Sequence, residues 1–209
     1  VVAWGWRPDF TARRSGGGRP IFSESDDWAV GMDGRVAVVR ANGYSVDWYL
    51  PDGSLVQGPP NEAETYPVEQ SEMDAEVHFM QTEALMTFVT AGEDGVESRK
   101  TSRGIPRGSG VDLGDFLWPE TLPLFRVGGT GVSPRGEAWV QRIMPAGHPS
   151  RYEVFDGGGA RLGFVEFEPG SKLVGFGSRS GLENTVYLAR TDEYGLVWLG
   201  RYRIEGKKA

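Results

Sequence analysis

An alternating strand that closes on arginine occurs three times in this chain: Val36-Ala37-Val38-Val39-Arg40, Ala138-Trp139-Val140-Gln141-Arg142 and Val186-Tyr187-Leu188-Ala189-Arg190. Residues two apart on a strand share a face, so each copy has two distinct faces and delivers its arginine at one end. A turn and a second, aromatic-rich strand follow each copy. The turns agree in phase as well. Asp33-Gly34 lies before the first copy and Arg135-Gly136 before the second, and further turns are read at 51–53, 157–159 and 192–195. Glycine in such turns takes the positive φ that other residues resist.

The second copy can be laid over the first. Pro123-Leu124-Phe125 matches Pro20-Ile21-Phe22, Val132 to Gly136 matches Val30 to Gly34, and Tyr152-Glu153-Val154 matches Tyr44-Ser45-Val46. The third copy starts at Lys172-Leu173 and ends in the strand 196–204. Recurrence of one supersecondary unit marks a repeat architecture, and antiparallel units of ~40–50 residues point to a β-propeller. The expected fold is therefore all-β, with residues 20–60, 118–168 and 169–205 each forming a sheet. That makes three to four blades, where a closed ring needs at least ~4, with residues 1–209 forming one propeller domain or part of one. Trp28, Trp139, Tyr152, Phe155 and Tyr187 are expected between the sheets. An open half-ring would expose a sheet face, so the remaining blades should come from upstream sequence, a second chain or the insertion described next.

Residues 69–115 interrupt the repeat as a helix-plus-loop insertion. Met73, Val77, Met80, Ala84 and Phe88 recur at steps of four, three, four and four, which is helical spacing, with Ser71 as its cap. A degenerate blade, with strands at 85–91 and 96–101, is the alternative. Residues 98–115 read as a polar, mobile loop. The stretch 1–6 reads as a strand and 11–19 as a long turn.

The net charge of −7 leaves no basic footprint for nucleic acid, and none is expected as a partner. Without cysteine the chain can form no disulfide and no Cys-ligated zinc site. No apolar run approaches the ~20 residues that a membrane helix requires. The first residue is Val1, with no signal-like segment, so the chain reads as processed, trimmed or taken from something longer.

The run Trp118-Pro119-Glu120, Pro123-Leu124-Phe125, Trp139-Val140 and Tyr152 to Asp156, with the ending Leu173-Val174-Gly175-Phe176-Gly177, Val186-Tyr187 and Arg201-Tyr202, resembles the C-terminal half of bacterial six-bladed β-propellers of the NHL/TolB-like kind. The resemblance covers 20–60 and 118–205. It implies further blades before Val1 and an extracytoplasmic location, and it supplies no catalytic residue.

The candidate ligand-binding residues are Arg40, Arg142, Arg190 and His148. Repeat symmetry would bring the three arginines around one mouth of a central channel, suited to a carboxylate, phosphate or acidic sugar. The competing and favoured reading has each arginine tying blades together through a carboxylate such as Asp27, Asp47 or Asp192. His148, in the loop 145–149, is the better placed of the two histidines for ligand contact, along with residues 181–184. His78 falls on the helix. Glu24-Ser25-Asp26-Asp27 lacks the glycine-punctuated spacing of a calcium loop, so no metal and no cofactor are expected. The reading reached is a non-catalytic binding or interaction module with a small polar or anionic ligand or a protein partner. The alternative is a hydrolase or lyase acting on a sugar or lactone in the axial funnel. A third possibility is an assembly surface within a larger complex.

Overall fold

The computed structural model describes residues 19–22, 24–82, 85–91, 97–104, 116–178, 184–192 and 194–204. The strand read at 1–6, most of the turn at 11–19, the stretch 105–115 and residues 181–183 lie outside them. In chain order the elements are β1 (Arg19–Pro20), β2 (Asp27–Val30), β3 (Val36–Arg40), β4 (Ser45–Tyr49) and β5 (Leu55–Val56). Then come α1 (Gln70–Thr82), β6 (Leu85–Ala91), β7 (Glu97–Arg103) and β8 (Phe116–Leu117). The remainder are β9 (Phe125–Val132), β10 (Ala138–Arg142), β11 (Ser150–Phe155), β12 (Arg161–Phe167), β13 (Lys172–Phe176), β14 (Thr185–Thr191) and β15 (Val197–Arg203). Among the described residues the fold is mostly β, in antiparallel sheets with one short helix, apart from a two-residue parallel pairing of β1 with β8.

Two compact units divide the chain: residues 22–76 with 120–209, and residues 1–21 with 77–119. The larger unit holds three sheets in which sequence neighbours pair. The first is β2-β3-β4-β5, the second β9-β10-β11-β12 and the third β13-β14-β15. Five of the hairpin turns share one design. Glycine at positive φ occupies residues 34, 53, 136, 159 and 195, and its N–H closes on the carbonyl three residues back. The residue at the start of each turn also donates its N–H to the carbonyl four residues on, as in Gly31 to Arg35 and Ser133 to Glu137. This is a type I turn with a glycine bulge, so the turns lock the registers that the repeat requires.

The sheets meet face to face across two apolar clusters. Between the first and second sheets lie Ala37, Val39, Val46 and Trp48 against Phe125, Ala138, Val140 and Phe155, all buried. Between the second and third lie Trp139, Tyr152 and Val154 against Val186 and Leu188. The first strands of the first two sheets, β2 and β9, are clamped by Asp27, whose two carboxylate oxygens accept the N–H groups of Gly128 and Thr130 at 2.9 and 3.0 Å. At the turns, Arg35 lies 5.1 Å over the Trp48 ring, and the Trp48 indole donates to the Asp156 carbonyl at 2.9 Å. Gly159 sits at φ +80°, and a Cβ there would run into the Val46 carbonyl and Gly58.

Several expectations need correction. Trp28 is 58% exposed, because its cross-strand mate Val38 faces away from the second sheet. Pro20–Phe22 is not the counterpart of Pro123–Phe125. Arg19–Pro20 pairs with β8 in the smaller unit, and the first sheet begins at Asp27. The helix spans Gln70–Thr82 and carries Met73, Val77 and Met80, and Ala84 lies outside the described residues. Phe88 lies in β6, which forms a hairpin with β7, so residues 98–103, read as loop, are strand, and the hairpin follows the alternative that put strands at 85–91 and 96–101. Ser71 is not the cap. The Glu72 carboxylate reaches back to the Glu69 N–H at 3.0 Å, one half of a capping box. The same side chain accepts the Ala146 N–H at 3.0 Å, tying the helix start to the loop after β10.

Candidate functional site

Each of the three arginines is taken by a carboxylate. Arg40 closes β3 on the outer face of the first sheet, away from the second. Its guanidinium donates to Asp47 at 2.8 Å and to Asp26 at 2.9 Å, and Tyr49 lies within 3.3 Å. These acceptors, Asp47 first and Asp26 next, hold it more firmly protonated than a free arginine. Arg142 closes β10 on the opposite side of its own sheet from the third. Its side chain is only 4% exposed and donates to Glu153 at 2.8 Å and to the Glu64 carbonyl at 2.6 Å. Arg190 reaches Glu168, which follows β12, and so joins the third sheet to the second.

Register explains the first two pairs. Val38 stands opposite Asp47, and Val140 opposite Glu153. In both sheets the closing arginine therefore reaches diagonally to the carboxylate across from the residue two before it. In the third sheet the corresponding residue opposite Leu188 is Gly200, so Arg190 turns elsewhere.

Around Arg142 the polar groups close on one another at the seam between the first two sheets. The Tyr44 hydroxyl donates to the second Glu153 oxygen at 2.8 Å, and Arg142 lies 5.5 Å over the Tyr44 ring. Arg161 approaches the same carboxylate at 3.5 Å. Burial first, and then the Glu153 charge, push the Tyr44 phenol far up, so it remains a donor. Tyr44 holds φ +41°, sparsely populated for an aromatic residue, and Asn61 fixes its carbonyl with two donors at 3.0 and 3.2 Å. The Arg142 Nε is buried without a partner, a cost accepted inside an otherwise saturated cluster. With both Glu153 oxygens engaged, the cluster offers neither a free base nor a nucleophile.

His148 is exposed and its N–H closes a turn on Pro145 at 3.1 Å. His78 is exposed on α1. Of the acidic run before β2, Asp26 is spent on Arg40 and the Ala41 N–H, and Asp27 on β9. Among the described residues no group of three or more His, Cys, Asp or Glu is arranged to hold a metal. A dent lined by Ser25, Ala41, Pro123 and Leu124 is roughly the size of one water molecule. Among the described residues no helix is long and apolar enough to cross a membrane.

The feature that the sequence reading missed is the outer face of the third sheet. Val197 and Leu199 are 64% and 69% exposed there, and their cross-strand mates are Thr191 and Ala189. Lys172, Arg201 and Arg203 share that face and take no carboxylate among the described residues. The signal was present in β15, Val-Trp-Leu-Gly-Arg-Tyr-Arg, which is apolar on both faces at its start rather than alternating.

The sequence matches no protein-family model and no curated protein. Among solved structures it is similar to a catalytically inactive virginiamycin B lyase from Staphylococcus aureus with quinupristin, at 13% identity and TM-score 0.26, covering 90% of this chain and 59% of that one. It is also similar to a selenomethionine-substituted virginiamycin B lyase from Staphylococcus aureus, at 10% identity and TM-score 0.21, over 88% and 72% of the two chains. A streptogramin B lyase matches at 10% identity and TM-score 0.20, over 90% and 71%. The chain thus spans 59% of the length of the first of these. Likenesses this distant carry nothing about its activity.

Proposed function

We propose that the chain is a non-catalytic interaction module of β-propeller type. Its three sheets act as consecutive blades, and residues 69–115 form an insertion between the first and second. In this reading Arg40 braces its own blade through Asp26 and Asp47, Arg142 and Arg190 reach the neighbouring blade, and the binding surface is the outer face of the last blade. The observation that carries it is the exposed apolar surface of Val197 and Leu199, flanked by Lys172, Arg201 and Arg203. Contiguous exposed apolar area rimmed by charge is what a docking surface requires, and it is costly to leave in water.

Support against an anion site at the arginines comes from their saturation: an incoming carboxylate or phosphate would have to displace Glu153 from Arg142 or Asp47 from Arg40. A photo-reactive residue at position 199 of the full chain, incubated with cell extract, tests the reading. Adducts should form there, should be competed by excess unlabelled chain, and should not be competed by a chain carrying both Leu199→Glu and Trp28→Glu, which lacks both exposed faces. The same residue at position 127, also exposed, should give none. Equal labelling at the two positions, or competition by the doubly substituted chain, would refute it.

A further inference from the structure

The docking surface just proposed can be assigned a partner from the packing rule of the sheets themselves, and the assignment rests on that reading. At the first junction the first sheet contributes the second and fourth residues of its arginine-ended strand, Ala37 and Val39. The second sheet receives them with its first and third, Ala138 and Val140. At the next junction the second sheet contributes its second residue, Trp139, and the third sheet receives with its first and third, Val186 and Leu188. Each sheet therefore has a leaving face and a receiving face, always used in the same direction along the chain.

Two faces remain after both junctions are made. The third sheet's leaving face carries Tyr187 and Ala189, with Val197 and Leu199 beside them. The first sheet's receiving face carries Val36 and Val38, with Trp28 and Val30 opposite them. None of these eight side chains enters either buried cluster. Trp28 and Val30 are 58% and 57% exposed, as uncovered as the leaving face. The charges are also opposite. The leaving face bears Lys172, Arg201 and Arg203, whereas at the receiving face two carboxylates, Asp26 and Asp47, stand against the single Arg40.

We infer that two copies of this chain associate head to tail, the leaving face of each third sheet packing on the receiving face of the other copy's first sheet. Such a contact is heterologous, and it closes into a ring when the rotation per copy allows. Two copies of three sheets give six, within the ~4–8 blades of closed propellers. Closure buries both open faces at once and pairs the cationic face with the acidic one.

The test is sedimentation velocity of the full chain with two single variants, Leu199→Glu on the leaving face and Trp28→Glu on the receiving face. Circular dichroism and the unfolding midpoint establish that each folds, and Val30→Lys replaces Trp28→Glu if that variant does not. The wild-type chain should sediment as a dimer of the 22.9 kDa unit at tens of micromolar, and each variant alone as a monomer. An equimolar mixture of the two variants should recover dimer, because one junction between them keeps both faces intact. A monomeric wild type, a dimer indifferent to both substitutions, or a mixture that stays monomeric would overturn the inference. If the wild type is monomeric while labelling at position 199 is still competed specifically, the docking surface stands and only the identity of its partner falls.

Discussion

Replacing Arg142 by glutamine separates a structural arginine from a ligand-binding one. The side chains of Arg142 and Glu153 are 4% and 6% exposed, so the substitution leaves a carboxylate buried with its main counter-charge gone. Breaking one partner of a buried pair costs about 3–5 kcal/mol. Glu153 keeps the Tyr44 hydroxyl at 2.8 Å and a more distant Arg161 at 3.5 Å, which places the expected loss near the lower end, about 3 kcal/mol. For a chain of this size each kcal/mol moves the unfolding midpoint by about 2–4 °C, so the variant should melt roughly 6–12 °C lower. Converting the whole cluster to apolar groups, with Arg142→Met, Glu153→Leu and Tyr44→Phe together, should restore most of that loss, since a buried ion pair and its apolar replacement are often nearly equal in stability. Thermal and urea unfolding read both variants. Acidic sugars and phosphates at millimolar concentration should leave the wild-type midpoint unmoved, because a ligand that binds the folded chain would raise it. A loss below about 1 kcal/mol, a triple variant weaker than the single one, or an anion-dependent rise in the wild-type midpoint would refute the structural assignment.

Further outcomes follow from the same packing. Trp139→Ala should cost about 3–5 kcal/mol in urea unfolding, whereas Trp28→Ala in the dilute chain should stay within about 1 kcal/mol. Gly53→Ala, with open space around it, should cost about 1–2 kcal/mol for its positive φ alone. Gly159→Ala should cost at least about 1 kcal/mol more, because its Cβ meets the Val46 carbonyl. The Ala146 N–H, the largest favourable cause, with Ser71 and Glu69 behind it, holds the Glu72 carboxyl below its ordinary value. A lowered folded pKa means stability that is present above the unfolded value and lost as the pH falls. Glu72→Gln should therefore cost about 1 kcal/mol at pH 7, and the difference should shrink as the pH drops below about 4.3.

The sheets were legible because their signals are local. Glycine at residues 34, 53, 136 and 195 fixes the turn, the turn fixes the register, and the register alternates the apolar residues of β3, β10 and β14. What alternation alone does not say is which of two apolar faces meets a neighbour. Trp28 and Trp139 both sit on alternating strands, and only the tertiary pairing separates an exposed tryptophan from a buried one. The helical stripe failed at Phe88 because spacing cannot announce where a helix gives way to a hairpin, and Phe88 kept the helical phase while lying in β6. Of the site residues, Arg40 and Arg142 could be picked out by repetition. Their true acceptors depend on a diagonal across the hairpin, visible only once Val38 is opposite Asp47 and Val140 opposite Glu153.

Hydroxyl-radical footprinting of the intact chain over a concentration series tests the central claim, stacked sheets with a closed polar seam and two open end faces. In dilute solution Tyr44, Trp48, Trp139 and Tyr152 should be oxidised slowly, and Trp28, Trp198 and Leu199 rapidly. As the concentration rises, protection should grow at Trp28 and Leu199 together and leave Leu162, exposed on β12, unchanged. Oxidation of Trp139 as fast as Trp28 in dilute solution would contradict the stacking of the sheets, and reaction rates at Trp28 and Leu199 that ignore concentration would contradict the pairing of the end faces.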